Sequence, residues 1–393
     1  MMPDDLRGRT VDLDAHLMLF LPDVERILGS GPNGAPWPDR GGAGSLVEEV
    51  RRMIVEDGLD PSGDGEALLA RRKQAQSDPW SVRLWGGHGA QVAEDRVDAL
   101  DQMGIGRQLL FSQFMEPPLN ADCPEGAAAV SRYNDHVLEW ARGVEDRVVP
   151  VCLLNTYAVE PALAEARRVL DKGAKGLQFS GIRPPAGLSP AAPEWDPLWA
   201  MLADAGAPAL LHYGGSGGSP TLFDISWYLA SWSLRPPPDD PSAGDFHARP
   251  FFWMTTHVFA ELTLTFMVLG GVFERHPGLR FGVIESGASW VPAWCDRMDN
   301  LAATTSTYLS RQLSLKPSDY VRRQVRVTPF EFEPVGEWIA ATGFEEVYAF
   351  STDYPHIEGG QSPVDAFYAS LAPLGDRVVE RFFVTNGADL LPA

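Results

Sequence analysis

Eight short apolar runs recur along this 393-residue chain, most of them followed by a longer amphipathic stretch, and that alternation most limits the folds open to it. The runs are 10–14, 107–112, 148–154, 174–179, 208–213, 280–285, 326–329 and 347–353. Most are too short for helices and rich in Val, Leu and Phe, as strands covered on both faces must be. Between them, 95–103 puts Val97, Leu100 and Met103 on one helical face. The segments 127–142, 161–172, 197–205, 257–275, 289–303, 363–371 and 377–383 also read as helices, with Gly173 and Gly206 as stop signals. Eight strand–helix pairs in one chain favour a (β/α)8 TIM barrel, a single domain over 1–393, above a doubly wound sheet.

Two stretches exceed a minimal barrel: 17–93 after the first strand and 214–256 after the fifth. Both follow strand C-terminal ends, where a barrel carries its active-site loops. The second holds Trp227, Tyr228, Trp232, Phe246, Phe251, Phe252 and Trp253. It is expected to wall and cover a pocket, with Trp232 and Trp253 against substrate; a packing arm or an oligomer contact is the competing use. A net charge of −21 counts against nucleic acid or an anionic membrane surface as partner. The three cysteines (Cys123, Cys152, Cys295) make no CxxC pair, and 1–16 has no apolar core of a leader peptide. A cytoplasmic protein without membrane spans is therefore expected.

Chemistry-bearing residue types gather at the ends of three runs. Asp14 and His16 close the first, His212 the fifth, and Asp353 the eighth. Residues two apart on a strand point the same way, so Asp14 and His16 can converge on one ion. Taken alone, each has an ordinary explanation: an Asp–His hydrogen bond, a core histidine, a turn aspartate. Together, at one end of a barrel, two imidazoles and two carboxylates suit a divalent ion, with zinc expected and manganese or iron as alternatives. Such an ion would bring the pKa of a bound water toward about 7. Glu285 ends the sixth run; it would act as a base or bind substrate, or else accept N–H groups from residues 287–289. His257 and His356 are candidates for contact with substrate, His356 also as a partner that orients a ligand. His88 and His276 are read as peripheral, and 214–218 (GGSGG) as a loop rather than a phosphate cradle.

The segments VDLDAH, WDPLWAMLADAGAPALLHYG, GGVFERHPGLRFGVIESGASWVP, VTPFEF and STDYPHIEGG run in the order of a known family. The chain resembles amidohydrolase-related proteins of the aminocarboxymuconate-semialdehyde decarboxylase type, a branch of the metal-dependent amidohydrolase superfamily. The likeness spans roughly residues 10–20 and 90–390. It implies Asp14, His16, His212 and Asp353 as metal ligands, a homodimer, and either hydrolysis or nonoxidative decarboxylation. Two positions depart from the pattern. DxH replaces the usual HxH or ExH, and Glu285 stands where decarboxylases of the family carry a histidine. The fourth run has Lys175 near its start and Gln178 nearer its end, which speaks for one metal ion rather than a pair bridged by a carboxylated lysine.

The expected activity is hydrolysis of a small cyclic or aromatic substrate by metal-activated water, with Asp353 moving the proton, His212 fixing the electrophile and Glu285 assisting. The alternative is decarboxylation of an aromatic or enoic carboxylate, for which Arg96, Arg183 and Arg235 are the candidate carboxylate partners. A barrel that only binds ligands is a third possibility, disfavoured because all four ligand types are kept.

Overall fold

The computed structural model describes residues 4–39, 44–182, 184–212, 254–255, 257–304, 312–360 and 362–391. Seven of the eight apolar runs form strands: β1 Thr10–Asp12, β2 Ile105–Leu110, β3 Val148–Pro150, β4 Cys152–Leu154, β5 Leu177–Phe179, β6 Ala209–His212, β7 Phe281–Ile284 and β8 Val325–Val327. All ladders are parallel, in the orders β1-β2-β3 and β4-β5-β6-β7-β8. The third run supplies both β3 and β4, one residue apart. Val151 N–H donates to Leu110 while Cys152 N–H donates to Gly176, so this run passes the chain from one sheet to the other.

The eighth run forms no ladder. It lies between β8 and the end of β1, held by isolated bridges Val327↔Tyr348 and Ala15↔Tyr354. Leu13 N–H donates to Phe350, and Asp353 N–H donates to Asp14. The eighth run is thus tied to both of its neighbours by single contacts, and Asp353 N–H is bonded directly to Asp14, just beyond β1.

Helices cover the outside: Ala93–Met103, Pro124–Trp140, Val159–Asp171, Asp196–Ala205, Val258–Leu269, Val291–Thr304, Pro317–Gln324, Val335–Thr342 and Pro363–Leu371. The helix expected over 257–275 breaks at Gly270–Gly271, where Gly271 takes a φ of +74°, and resumes at Val272–Arg275. The first insertion carries three helices, Leu21–Leu28, Leu46–Glu56 and Glu66–Ala75. Inside the barrel a second apolar cluster joins Val11, Leu13, Leu109, Phe111, Val149, Val151, Leu210, Ile284 and Ala349. Leu390, the last residue of the C-terminal helix Asn386–Leu390, and Leu391 just after it also join it. Gly387 permits this: a Cβ there would lie 2.6 Å from Val11 Cβ. No helix among the described residues is long and apolar enough to cross a membrane. The insertion over 214–256, with Trp232 and Trp253, falls almost wholly outside the described residues.

Candidate metal centre

β1 ends at Asp12, so Asp14 and His16 are brought together by the extended segment beyond the ladder, not by strand alternation. His16 Nε2 lies 3.4 Å from Asp14 Oδ1 and 3.1 Å from Asp353 Oδ1. β6 delivers His212, whose Nε2 is 3.2 Å from Asp14 Oδ1 and 3.3 Å from Glu285 Oε2. Asp14, His16, His212 and Glu285 offer ligand atoms that all fall within 4.8 Å of one another; His16, Asp353 and His356 form a second such group. His16 belongs to both. The four expected ligands are therefore gathered around His16, with Glu285 on the His212 side and His356 on the Asp353 side.

His16 tests whether this set fits a cation. Its Nδ1 lies 3.3 Å from the Ser112 carbonyl oxygen, which makes Nδ1 the donor and leaves Nε2 to take either a second proton or a cation. That nitrogen is buried, faces two carboxylates, and makes no well-aligned hydrogen bond; Asp353 Oδ1 is equally without one. Acceptors pointed at one another out of line need a positive charge between them. Burial alone would lower the His16 pKa, yet the Asp14 and Asp353 carboxylates lift it to about 10. Burial likewise works against ionised Asp14, but His212 and His16 hold its carboxyl below the usual range. Asp353 is also pulled down against burial, by the charge of His356 and by His16. A field that holds a proton this firmly suits a divalent ion as well.

The walls are equally particular. Phe111 leans on the His212 ring at 4.3 Å between centroids, and His356 stacks on His16 at 3.8 Å. His356 Nδ1 is 2.9 Å from Asp353 Oδ1. Asp353 and Glu285 both adopt a φ of +53°, a left-handed conformation unusual for non-glycine residues.

Several expectations change. Glu285 turns its carboxylate toward His212, and the loop after β7 has a second acid close by. Glu333 accepts from Ala288, Ser289 and Phe330 N–H groups; burial pushes its carboxyl up. Arg96 is no partner for a substrate carboxylate. It is fully buried and donates to Gly89, Gln108 and His16 oxygens. His257 stacks on Trp290, 6.2 Å between ring centroids, and lies 3.9 Å from Glu261; it joins neither ligand group. His88 is engaged by Asp98 at 2.6 Å, and His276 by Asp196 at 3.2 Å. Lys175 precedes β5, while Gln178 lies within it, so the described residues place no lysine at its C-terminal end. Trp232, Trp253, Arg183 and Arg235 lie outside the described residues.

Asp12 carried no expectation from the sequence. It is buried and accepts from Asp14 N–H, Thr352 N–H, Thr352 Oγ1–H and Gln108 Nε2–H. Burial nonetheless pushes its carboxyl up to about 7.

Comparison with known proteins bears on this geometry. The profile of a family described as Amidohydrolase matches residues 120–393. No curated protein matches the chain. Among solved structures, an amidohydrolase from Mycobacterium avium subsp. paratuberculosis K-10 aligns with a TM-score of 0.71 at 23% identity, over 98% of this chain and 99% of that one. 5-Carboxyvanillate decarboxylase from Sphingomonas paucimobilis aligns with a TM-score of 0.62 at 17% identity, over 98% of both chains. A dihydroxybenzoic acid decarboxylase from Polaromonas sp. JS666, solved with manganese and the inhibitor 2-nitroresorcinol, gives 0.61 at 18%, over 97% and 96%. At these identities the structural likenesses speak for the fold.

Proposed function

The chain belongs to the amidohydrolase family, and from that premise we propose that it is a metal-dependent carboxy-lyase acting on a hydroxylated aromatic carboxylate. The observation that carries the proposal is the buried His16 Nε2, facing Asp14 and Asp353 with its other nitrogen committed to Ser112. Decarboxylation moves ahead of the expected hydrolysis because two aligned neighbours are named as decarboxylases of aromatic acids. Manganese moves ahead of zinc: Asp14, Glu285 and Asp353 make the donor set rich in carboxylate, which suits a hard cation, and one neighbour was solved with manganese.

Asp14, His16, His212 and Asp353 would hold the ion, with Glu285 beside His212. When bound, it supplies Lewis acidity toward the carboxylate and adjacent hydroxyl of the substrate. The chain's own residues do the rest. Breaking the aryl–carboxylate bond releases carbon dioxide and leaves an electron pair on the ring carbon, which must take up one proton. The Asp353–His356 pair is placed to hold that proton between His356 Nδ1 and Asp353 Oδ1, 2.9 Å apart. Phe111, against His212, limits the approach of water on its side. Glu285 also favours a second reading, hydrolysis, because a carboxylate 3.3 Å from His212 is a competent base for water.

One experiment separates the two. The Mn2+-loaded protein is incubated with a panel of 2-hydroxybenzoates and, in parallel, with aryl esters and lactones in 18O-labelled water. Carbon dioxide released from the acids is the expected result. Label appearing in a carboxylate product without carbon dioxide would replace the proposal with hydrolysis, and neither product would defeat both.

A further inference from the structure

We propose that Asp12 is a positioning residue that sets the distance between the two halves of the metal centre. The inference rests on the metal reading above. Asp14 belongs to the extension of β1 and Asp353 to the eighth run, which has no ladder of its own to fix its height. Asp12 bridges the two. Its Oδ1 accepts from Asp14 N–H at 3.1 Å and from Thr352 N–H at 2.9 Å. Its Oδ2 accepts from Thr352 Oγ1–H at 2.6 Å and from Gln108 Nε2–H at 2.7 Å. One side chain thus grips the backbone of Asp14 and of the residue before Asp353. It touches neither ligand's carboxylate and is wholly buried.

The bridge has a fixed polarity. Arg96 donates to Gln108 Oε1 at 2.9 Å, so Gln108 presents its amide N–H groups to Asp12 and cannot turn over without facing a guanidinium. Arg96 also donates to the His16 carbonyl at 2.8 Å. The chain of hydrogen bonds from Arg96 through Gln108 and Asp12 to Thr352 therefore reaches the backbone of residues 14 and 16 and the peptide just before residue 353. Partners that orient metal ligands typically change metal affinity by about 10–100-fold when altered.

Asp12→Asn puts an amide N–H group against Gln108 Nε2, with no turn of Gln108 to relieve it. The exchange Asp12→Asn with Gln108→Glu restores the polarity, because the new carboxylate accepts from both Arg96 and the new amide. The readouts are Mn2+ affinity by calorimetry and the visible spectrum of the Co2+-loaded protein, which reports ligand geometry independently of turnover. Expected are an affinity loss of about 10–100-fold and an altered spectrum for Asp12→Asn, with most of both recovered in the exchange. Wild-type affinity and spectrum in Asp12→Asn would overturn the inference. So would an exchange that recovers thermal stability but neither affinity nor spectrum. If Asp12→Asn does not fold, Gln108→Leu, which removes the Gln108 N–H donor to Asp12 Oδ2 and leaves the Asp14 and Thr352 bonds to Asp12, carries the test: weaker Mn2+ binding with a changed spectrum supports positioning, and unchanged values overturn it. Wild-type protein that takes up no stoichiometric Mn2+ would instead remove the metal reading itself.

Discussion

Asp353 and Glu285 share a φ of +53°, and each pays for it with a hydrogen bond at its own backbone. Asp353 N–H donates to Asp14, and Glu285 N–H to Thr328 Oγ1. Left-handed backbone costs about 1–3 kcal/mol for most side chains but is tolerated by Asn and Asp. Asp353→Asn should therefore keep its backbone and its melting temperature while losing the proton-holding group. Turnover should fall by about 100-fold or more, the scale of general acid–base catalysis. Parallel kcat and Tm measurements check this, and near-full turnover would contradict the role. Glu285 and Glu333 make an opposed pair. Glu285→Gln should lower activity or alter specificity with little loss of stability. Glu333→Ala leaves the Phe330, Ala288 and Ser289 N–H groups without their acceptor, a cost of about 1–3 kcal/mol, measured as a lower urea midpoint. The ligand-type residues were legible because each closes an apolar run. Asp12 and Glu333 were not: as letters they are one more acid at a strand and one more in a loop, and only their distant partners give them work.

The strands show where that legibility stops. Hydrophobic runs found all eight positions around the barrel, since burial on both faces leaves a mark in composition. They did not show that the third run passes between two sheets, nor that the eighth is tied by single bridges, because both depend on hydrogen-bond partners far away in the chain. Helix ends were clearer where glycine follows, as at Gly206, whose φ is +64°. The C-terminal segment lay beyond the alternation, yet it closes one end of the barrel: Leu390 is 1% exposed, and its Cδ2 would lie 3.0 Å from a Cβ placed on Gly282. Leu390→Ala should leave a cavity and cost about 2–5 kcal/mol. Because Leu390 meets β7 at Gly282, two residues before the Ile284 that pairs with His212, kcat at permissive temperature should be unchanged. Chemical denaturation with steady-state kinetics measures both, and a large fall in kcat would show that the plug shapes the centre.

Across the whole molecule, charge and metal binding act on the same balance. A chain of net charge −21 concentrates cations near its surface, and Asp14, Glu285 and Asp353 add local repulsion that a bound cation relieves. Binding to the folded state alone raises stability as the free ion exceeds its dissociation constant, by about 2.7 kcal/mol at a hundredfold excess. Protein stripped with EDTA should be inactive and melt at a lower temperature, and Mn2+ should restore both. Asp353→Asn should respond differently. With one negative charge removed, the stripped variant should melt at or above the stripped wild type, while its gain on adding Mn2+ shrinks. Screening reaches about 8 Å at physiological salt, so the long-range share of cation attraction should fade as ionic strength rises, whereas repulsion among buried carboxylates a few ångströms apart should persist. Melting curves of both proteins, stripped and Mn2+-loaded, at low and high salt, test this directly. Equal Mn2+-induced shifts in wild type and variant would mean that Asp353 does not feel the ion.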